Sequence, residues 1–408
     1  MPDVSVLDVL LHGEPIGALT RVPGDRNIFA FNQSYIDNAG RPTLSLSFKD
    51  ALGALITDIR PTQTRVPPFF ANMLPEGPMR DYLAKRAGVN PKREFFLLWV
   101  LGKDLPGAVT VRPADGEAWP PDGGHDSDEA GSGDARRHAL RFSLAGVQLK
   151  FSAVRNAAGG LTIPAEGVGG SWIVKLPSMM HDGVPENEYA MMSLAAKIGM
   201  DVPELQLADL GSIAGLPEGL GNMKGRALAV KRFDRTPLGP VHIEDFAQVF
   251  GVYPDDKYAK ASYRNIAEVI AAETGNVGVA EFIRRLVFNT LIGNADMHLK
   301  NWSLIYPDRR TAALAPAYDF VATVHYIPDE KAALTYVRTK RMNEFSRDEL
   351  ADLAAKARLP EKLVLDTAAE TVARFHETWS AEKRNLPWSK ELIATIEKHV
   401  NTVPIARG

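Results

Sequence analysis

The short polar stretch GNADMHLKNWSLIY, at residues 293–306, carries residue types that phosphoryl transfer requires. Asp296 and Asn301 lie five residues apart, between an apolar helical segment and an apolar strand-like segment. This is the Asp-to-Asn spacing of the protein-kinase catalytic loop, in which the carboxylate orients the incoming hydroxyl and the amide helps to hold Mg²⁺. The spacing alone is common by chance, so its interpretation depends on what the rest of the chain supplies.

Further groups of the same chemistry occur in the order that a kinase requires. The segment WIVK ends at Lys175 and resembles the V-A-I-K strand, whose lysine contacts ATP phosphates. Glu186 or Glu188, in the next predicted helix, is a candidate partner for that lysine, with a solvated helix face as the alternative for Glu188. Eighteen residues after Asn301, the segment LAPAYDF places Asp319 where a kinase keeps its second metal carboxylate.

The expected phosphate-binding loop departs from the G-x-G-x-x-G pattern of eukaryotic kinases. The segment FSLAGVQLK, residues 142–150, has a single glycine, Gly146, between two strand-like stretches. Backbone N–H groups in such a loop can bind phosphate, and Lys150 adds a positive charge. A plain β-turn without a ligand is the alternative for this segment.

Composition limits the classes of protein to which the chain can belong. Its 408 residues are 45% hydrophobic and 24% charged, which is typical of an ordinary globular protein of two or three domains. The absence of cysteine excludes disulfides, thiolate metal sites and cysteine nucleophiles. A formal net charge of −3 predicts no general attraction to nucleic acid. No signal peptide or membrane span is recognisable, so we expect a cytoplasmic protein.

The order of predicted elements divides the chain into four parts. Residues 1–112 form a small α+β unit, and residues 113–138 form a Gly-, Pro- and Asp-rich linker without periodicity. Residues 139–240 are β-rich with one amphipathic helix, and residues 241–408 are mostly helical. The predicted fold class is therefore α+β, with a protein-kinase-like core of a β-rich small lobe and a helical large lobe, preceded by an N-terminal α+β subdomain.

Three segments carry local predictions. VSVLDVLL and IGALTRV flank HGEP, which predicts a β-hairpin near the beginning of the chain. TLSLSF, at residues 43–48, alternates apolar and polar side chains and predicts a strand. HIEDFAQVFGV, at residues 242–252, predicts a helix at the beginning of the large lobe.

Several of these motifs together resemble the HipA family, the serine/threonine kinase toxins of bacterial toxin–antitoxin systems. The resemblance is carried by SLAGVQLK, VKLP, ENEY, KRFDR, HIEDFAQ, GNADMHLKN and LAPAYDF, and in the N-terminal unit by LPEG and LPGAVTV. It extends over most of the chain. It implies an ATP- and Mg²⁺-dependent protein kinase whose activity is associated with persistence.

The resemblance also implies roles for individual residues. Asp296 is the expected catalytic base, with Lys300 neutralising charge on the transferred phosphoryl group, and Ser143 is the expected autophosphorylation site. Asn301 and Asp319 are the expected Mg²⁺ ligands, with Tyr318 beside them. The expected nucleotide-binding residues are Ala145, Gly146, Val147, Gln148, Leu149 and Lys150 in the phosphate loop, Lys175, the hinge residues Lys231, Arg232 and Phe233, and His298 and Lys300 in the catalytic loop.

The implied partners are a HipB-like helix-turn-helix antitoxin and a protein substrate, an aminoacyl-tRNA synthetase and typically the glutamyl enzyme. The toxin–antitoxin complex would bind operator DNA and act in transcription repression, with the antitoxin making most of the DNA contact. Two alternatives remain open. One is a small-molecule phosphotransferase of the aminoglycoside or choline kinase type, although this chain has N-A-D where those enzymes generally have H-G-D. The other is a catalytically silent co-repressor.

Overall fold

The computed structural model describes residues 5–114, 149–156, 159–164, 169–216, 225–327 and 331–407. The elements of the N-terminal part are β1 (Ser5–Leu11), β2 (Glu14–Val22), β3 (Arg26–Phe31), α1 (Gln33–Asp37), β4 (Thr62–Gln63), α2 (Pro68–Ala71), α3 (Gly77–Ala87), α4 (Glu94–Leu101) and β5 (Val109–Pro113). The strands form an antiparallel sheet in the order β4-β3-β2-β1-β5. The predicted hairpin is confirmed, because β1 and β2 pair around His12 and Gly13. Both residues have positive φ, as a tight hairpin turn requires.

Residues 43–48 do not form the predicted strand. Leu46–Phe48 is a single turn of 3₁₀ helix, and the Ser45 hydroxyl accepts a hydrogen bond from the Ser47 N–H at 3.1 Å. The apolar residues Leu44 and Phe48 are buried as the alternation suggested. However, a serine that bonds to nearby backbone offers the chain an alternative to a strand ladder. The alternating pattern of residues 43–48 therefore predicted the burial of these side chains correctly but predicted the wrong type of secondary structure.

A second antiparallel sheet follows, and one helix packs against it. Its elements are β6 (Lys150–Arg155), β7 (Leu161–Thr162), β8 (Trp172–Lys175), α5 (Val184–Ile198), β9 (Leu205–Asp209) and β10 (Arg226–Lys231). The strand order is β7-β6-β8-β10-β9, and α5 lies against β9 and β10. Lys150 and Lys175 are direct cross-strand partners in this sheet. Because directly opposed residues share a face, the register places these two lysines side by side.

The remaining part of the chain is mostly helical, with two small sheets. Its elements are β11 (Arg235–Thr236), β12 (Gly239–Pro240), β13 (His242–Asp245), α6 (Phe246–Val249), α7 (Tyr263–Leu291), β14 (Ser303–Tyr306), β15 (Ala313–Leu314), α8 (Arg347–Lys356), α9 (Glu361–Glu382) and α10 (Lys390–Val400). The helix α7 changes direction at Gly275, whose φ is +63°. None of the described helices combines the length and apolar character needed to cross a membrane.

The helix predicted over residues 242–252 is wrong in its first four residues. His242 to Asp245 form β13, which pairs with β14, and the helix α6 begins only at Phe246. His242 and Glu244 are buried while Ile243 and Asp245 are half-buried, which is the period-two alternation of a strand. Asp245 and Gln248 then form a capping box, which marks the true beginning of the helix.

Two hydrophobic cores organise the described residues. One contains the apolar residues of the N-terminal sheet and helices together with those of the second sheet, for example Phe70, Leu98, Phe151 and Val174. The other contains the apolar face of α5 and the helices of the C-terminal part. The N-terminal part therefore shares a core with the second sheet. The predicted linker, residues 113–138, lies outside the described residues except for its first two positions.

A buried carboxyl group joins the N-terminal part to β13. Glu244 is fully buried and accepts hydrogen bonds from the Ser45 hydroxyl at 2.5 Å, the Leu46 N–H at 3.0 Å and the Tyr306 hydroxyl. Burial raises the pKa of Glu244 to about 7, although these hydrogen bonds oppose the shift. The folded protein therefore retains a proton that the unfolded chain loses near pH 4.5.

This difference in pKa predicts a pH-dependent stability. Because the folded state binds the proton more tightly, the free energy of unfolding should fall as pH rises from about 4.5 to about 7. The loss attributable to Glu244 is at most about 3 kcal/mol. Glu244→Gln should lack this loss, since its amide can donate to Ser45 and its oxygen can accept from Leu46 and Tyr306. Urea denaturation at pH 5, 6, 7 and 8 measures the difference.

Glu349→Gln is the matched control. Glu349 is also buried. Burial acts to raise its pKa, but Arg338 and backbone donors outweigh burial and lower that pKa. Glu349 therefore loses its proton below the tested pH range in the folded and in the unfolded state. Its substitution should reduce stability by a similar amount at every pH from 5 to 8. Parallel curves for the wild-type protein and Glu244→Gln would contradict the assignment.

Candidate active site

The loop between α7 and β14 folds back on itself through its own amides. Gly293 has a φ of +70°, and a Cβ there would lie 2.5 Å from the side chain of Val324, so only glycine fits the turn. The Asn294 side-chain oxygen accepts from the Asp296 N–H at 3.0 Å, and Asn301 Nδ2 donates to the Asp296 carbonyl at 2.7 Å. The five-residue spacing of Asp296 and Asn301 is therefore the span of a closed loop.

The carboxylate of Asp296 is exposed to solvent and oriented by a tyrosine. The Tyr258 hydroxyl donates to Asp296 Oδ1 at 2.6 Å. Desolvation by the surrounding protein raises the pKa of Asp296, while the hydrogen bond from Tyr258 and the charge of Lys257 act against that shift. A carboxylate held in this way can accept a proton from a hydroxyl group that approaches it from solvent.

Two lysines and two carboxylates lie together at one end of strands β6 and β8 of the second sheet. The Lys175 ammonium contacts both the Glu188 and the Asp319 carboxylates, and Lys150 Nζ lies 3.8 Å from Asp319 Oδ2. Burial disfavours the charge on Lys175, but Asp319 and Glu188 outweigh it and raise the pKa of that lysine. Burial acts to raise the pKa of Asp319, and Lys150 and Lys175 overcome it and lower that pKa. Both groups are therefore charged at neutral pH.

Asp319 adopts a backbone conformation that few non-glycine residues adopt. Its φ is +57°, in the left-handed region that aspartate tolerates better than most side chains. The preceding Tyr318 fixes the segment, because its hydroxyl lies 2.5 Å from the Ser303 hydroxyl and donates to the Lys300 carbonyl at 2.9 Å. Asn294 Nδ2 also lies 3.4 Å from the Asp319 carbonyl. Such strain tends to occur at functional sites.

The donor groups at this point fit Mg²⁺ together with phosphate. Asp319 offers a carboxylate, and Asn301 offers its amide oxygen because its nitrogen is used in the bond to Asp296. Mg²⁺ prefers oxygen ligands and is usually held by one or two protein groups plus substrate phosphates. No group of three or more His, Asp or Glu side chains that could hold a metal ion occurs in the described part of the chain. The residues thus fit an ion that is shared with a bound phosphate.

The charged end of Lys300 contacts the N-terminal part of the chain. Its ammonium donates to the Asn72 carbonyl at 2.7 Å and lies 3.1 Å from Glu76 Oε1 and 3.7 Å from Asp245 Oδ2. Its side chain is 8% exposed. Buried acceptors of the N-terminal part and Asp245 hold its charged end, and the expected nucleotide contact of Lys300 stays a prediction.

The three residues of the predicted hinge, at positions 231–233, lie in different environments. Lys231 is exposed and lies 3.5 Å from Glu204. Arg232 is buried between Asp104, at 3.1 Å, and Asp234, at 2.9 Å, so its side chain is held within the protein, and its role in an adenine-binding hinge stays a prediction. The Phe233 ring lies 5.9 Å from that of Tyr318. An adenine contact from Arg232 would have to come from its backbone.

His298 lies beneath the loop as a neutral imidazole. It is buried, its ring meets that of Tyr258 edge-on at 5.0 Å, and burial lowers its pKa to about 3. Its Nδ1 atom has no hydrogen-bond partner among the described residues. No backbone carbonyl of the described residues therefore satisfies this nitrogen.

The expected phosphate loop is described only at its end. Ser143, Ala145, Gly146, Val147 and Gln148 lie outside the described residues. Leu149 is described, and its carbonyl accepts from the Leu176 N–H at 3.1 Å. This bond continues the pairing of β6 and β8 and holds Lys150 beside Lys175.

Three residues at the site were not predicted from the sequence. Tyr258 orients Asp296. Lys257, which precedes Tyr258 in the chain, forms an ion pair with Glu76 at 2.8 Å. Glu76 belongs to LPEG, a motif that carries the family resemblance, and this was its only signal. Tyr258 and Lys257 follow an acidic turn without any pattern that distinguishes them from surface residues.

The structure joins a β-sheet, which carries the buried pair of Lys175 and Glu188, to a helical part that carries the Asp296–Asn301 loop. This arrangement defines a protein-kinase-like α+β fold. Comparison with known proteins identifies the family. A profile described as "HipA N-terminal domain" matches residues 7–112, and one described as "HipA-like C-terminal domain" matches residues 142–379. The chain belongs to the HipA family.

Individual relatives agree with this assignment. A Sinorhizobium fredii (strain NBRC 101917 / NGR234) protein named "Putative kinase Y4dM" is 64% identical over the whole chain and 99% of its own length. The protein "Serine/threonine-protein kinase toxin HipA" of Shewanella oneidensis MR-1 is 26% identical over 85% of this chain and 84% of its own. The solved complex of Shewanella HipA, HipB and operator DNA includes a chain that matches with a TM-score of 0.72 and 21% identity, covering 98% of this chain and 96% of that one.

The positions of the lysines predict different effects on nucleotide binding. Lys175→Met should weaken the binding of ATP by about tenfold or more, because it removes a charged donor from the phosphates. Lys300→Met should leave the dissociation constant for ATP within about twofold of the wild-type value, because its ammonium is held by Asn72 and Glu76. Isothermal titration calorimetry with Mg²⁺–ATP, on variants whose folding is checked by circular dichroism, measures both constants. Equal weakening by the two substitutions would contradict the structure.

Proposed function

We propose that this protein is an ATP- and Mg²⁺-dependent serine/threonine protein kinase that acts as the toxin of a toxin–antitoxin pair. The observation that carries the proposal is the contact of Lys150 and Lys175 with the strained Asp319, in a chain whose Asp296–Asn301 loop accepts a hydrogen bond, at the Lys300 carbonyl, from the neighbouring Tyr318. The names of the relatives support kinase chemistry, since they include a serine/threonine-protein kinase toxin.

The described residues supply the parts of a phosphoryl transfer. Lys175 and Lys150 bind phosphate oxygens, and Asp296 accepts the proton of a serine hydroxyl while Tyr258 holds its carboxylate in place. The hydroxyl oxygen forms a bond to the γ-phosphorus as the bond to the leaving ADP oxygen breaks. Mg²⁺ held by Asp319 and Asn301 would neutralise charge on the phosphates. Most of the catalysis would come from positioning and electrostatics.

The proposal includes the partners and the substrate that the family resemblance implies. The substrate is an aminoacyl-tRNA synthetase of the glutamyl type, and its phosphorylation blocks translation. A HipB-like helix-turn-helix antitoxin neutralises the protein, and the complex represses its operon. The solved structure of Shewanella HipA with HipB and operator DNA supports this arrangement. A formal net charge of −3 agrees with DNA contact made mainly through the antitoxin.

The proposal also includes autophosphorylation of Ser143 as a means of inactivation. A phosphate adds nearly two negative charges at neutral pH. At Ser143, beside the expected phosphate loop, this phosphate would repel ATP and displace the loop away from Lys175. A phosphorylated protein would then remain bound to its antitoxin as an inactive co-repressor.

Intact-mass spectrometry after incubation with Mg²⁺–ATP tests the proposal. The purified wild-type protein should gain one phosphate on Ser143, and Asp296→Asn should gain none, because an amide cannot accept the hydroxyl proton. Ser143→Ala serves as the control for the site of modification. ATP binding without any phosphate gain would favour a small-molecule phosphotransferase, and absence of ATP binding would favour a silent co-repressor.

A further inference from the structure

Glu76 occupies an unusual position for a buried carboxylate. It is the residue at the N-cap of α3, yet its side chain makes no capping hydrogen bond. Instead its Oε2 accepts from Lys257 Nζ at 2.8 Å, and its Oε1 lies 3.1 Å from Lys300 Nζ. Burial opposes ionisation, but Lys300 and Lys257 lower the pKa of Glu76 to about 2. A fully charged carboxylate of the N-terminal part therefore holds two lysines of the C-terminal part.

The first of these lysines leads directly to the proposed base. Lys257 precedes Tyr258, whose hydroxyl donates to Asp296 at 2.6 Å. The Lys257 carbonyl also accepts from the Leu299 N–H at 3.3 Å, inside the catalytic loop. A displacement of Lys257 would therefore move both the tyrosine that orients Asp296 and the backbone of the loop.

The same segment has a second attachment to the N-terminal part. The Arg65 guanidinium lies 4.0 Å from the centre of the Tyr253 ring and 3.0 Å from Asp255 Oδ2. Asp255 is largely exposed, so this ion pair contributes little, whereas the pair between Glu76 and Lys257 is nearly excluded from solvent. Glu76 is therefore the main polar attachment of residues 253–258 to the N-terminal part.

The second lysine attaches the other end of the catalytic loop. Lys300 precedes Asn301, and its ammonium bonds to Asn72 as well as to Glu76. Asn72 is itself buried and donates to the Val252 carbonyl at 2.7 Å. The two ends of the Asp296–Asn301 loop are thus attached to one carboxylate, through Tyr258 and Lys257 at one end and through Lys300 at the other.

From this arrangement we infer that Glu76 is a positioning residue for phosphoryl transfer, through which the N-terminal domain holds the catalytic loop in its active geometry. The inference rests on the proposed kinase function for its kinetic test and on the ion pairs alone for its structural test. Glu76 does not touch the substrate or the nucleotide in this role. It acts on Asp296 through Lys257 and Tyr258.

Glu76→Gln tests the inference, with Asp25→Asn as the matched control. Asp25 is a half-buried carboxylate of the N-terminal domain that also pairs with two cations, but these partners, Arg21 and Arg93, lie in the same domain. Both substitutions remove a negative charge that is shielded from solvent and should lower stability. Only Glu76→Gln should loosen the catalytic loop. Glu76→Asp keeps the charge with a shorter reach and should lie between the wild-type protein and Glu76→Gln.

Hydrogen–deuterium exchange of the full-length protein gives a readout that does not depend on activity. In Glu76→Gln, peptides that cover residues 253–258 and 293–301 should exchange faster than in the wild-type protein. The same peptides should be unchanged in Asp25→Asn. If exchange in Glu76→Gln is unaltered, the positioning role is overturned, whatever the protein is found to catalyse.

Kinetics supply the second readout. The rate of phosphate transfer from saturating Mg²⁺–ATP should fall by about tenfold to a hundredfold in Glu76→Gln, since small displacements of a base have effects of this size. The dissociation constant for ATP should change by less than about threefold. Unchanged transfer in Glu76→Gln, or a loss confined to ATP affinity, would overturn the inference. A wild-type protein without transfer activity would instead refute the proposed function and leave the exchange experiment as the decisive test.

A double-mutant cycle separates positioning from general destabilisation. If Glu76 acts through Tyr258, the effect of Glu76→Gln on the transfer rate should be much smaller in a Tyr258→Phe background than in the wild-type background. Asp25→Asn should show equal effects in both backgrounds. Additive effects of Glu76→Gln and Tyr258→Phe would show that the two residues act independently and would overturn the proposed route.

Discussion

The geometry of the site depends on one buried ammonium, that of Lys175, which lies between the carboxylates of Glu188 and Asp319. The three residues come from a strand, a helix and a loop that are distant in sequence. Buried charges are tolerated only when they are paired, and loss of one partner typically costs about 3–5 kcal/mol. The pairs therefore hold the helix α5 against the second sheet and the Asp319 segment against both. They also help to maintain the left-handed backbone at Asp319, which by itself is unfavourable.

The N-terminal domain forms part of this arrangement. Its polar contacts with the rest of the chain include those of Ser45 with Glu244, of Asp104 with Arg232, and of Glu76 with Lys257. These contacts lie next to β13, to the hinge and to the catalytic loop, respectively. Its apolar residues also share one core with the second sheet. A domain attached in this way constrains the relative orientation of the two lobes, because movement of either lobe would leave a buried charge unpaired.

The sequence predicted the parts of the site that are local. The spacing of Asp296 and Asn301 was sufficient because one closed loop spans it, and Lys175 could be found because it ends a strand of recognisable pattern. The strand at residues 242–245 could not be predicted, because a four-residue strand directly before a helix cannot be distinguished from the first helical turn by periodicity. The two-lobed α+β fold followed from the order of elements and from the family motifs.

The contacts of Glu76 and Tyr258 could not be predicted, because their partners are distant in the chain. Glu76 and Lys257 are separated by 181 residues, and Tyr258 and Asp296 by 38. Lys300 illustrates the same limit, since its position in the loop was evident while the direction of its side chain was decided by Asn72 and Glu76.

The position of Lys300 has a consequence for how charge is neutralised under the proposed function. Because its ammonium is held by the N-terminal domain, we expect the positive charge that meets a phosphate, among the described residues, to come from Lys150 and Lys175. Both lysines lie in the second sheet, whereas Asp296 lies in the helical part. Neither part can perform the transfer alone, and the separation of the lobes therefore controls the reaction. A domain that contacts both lobes through buried charges is in a position to set that separation, which gives a physical reason for the presence of the N-terminal domain in a chain whose chemistry resides elsewhere.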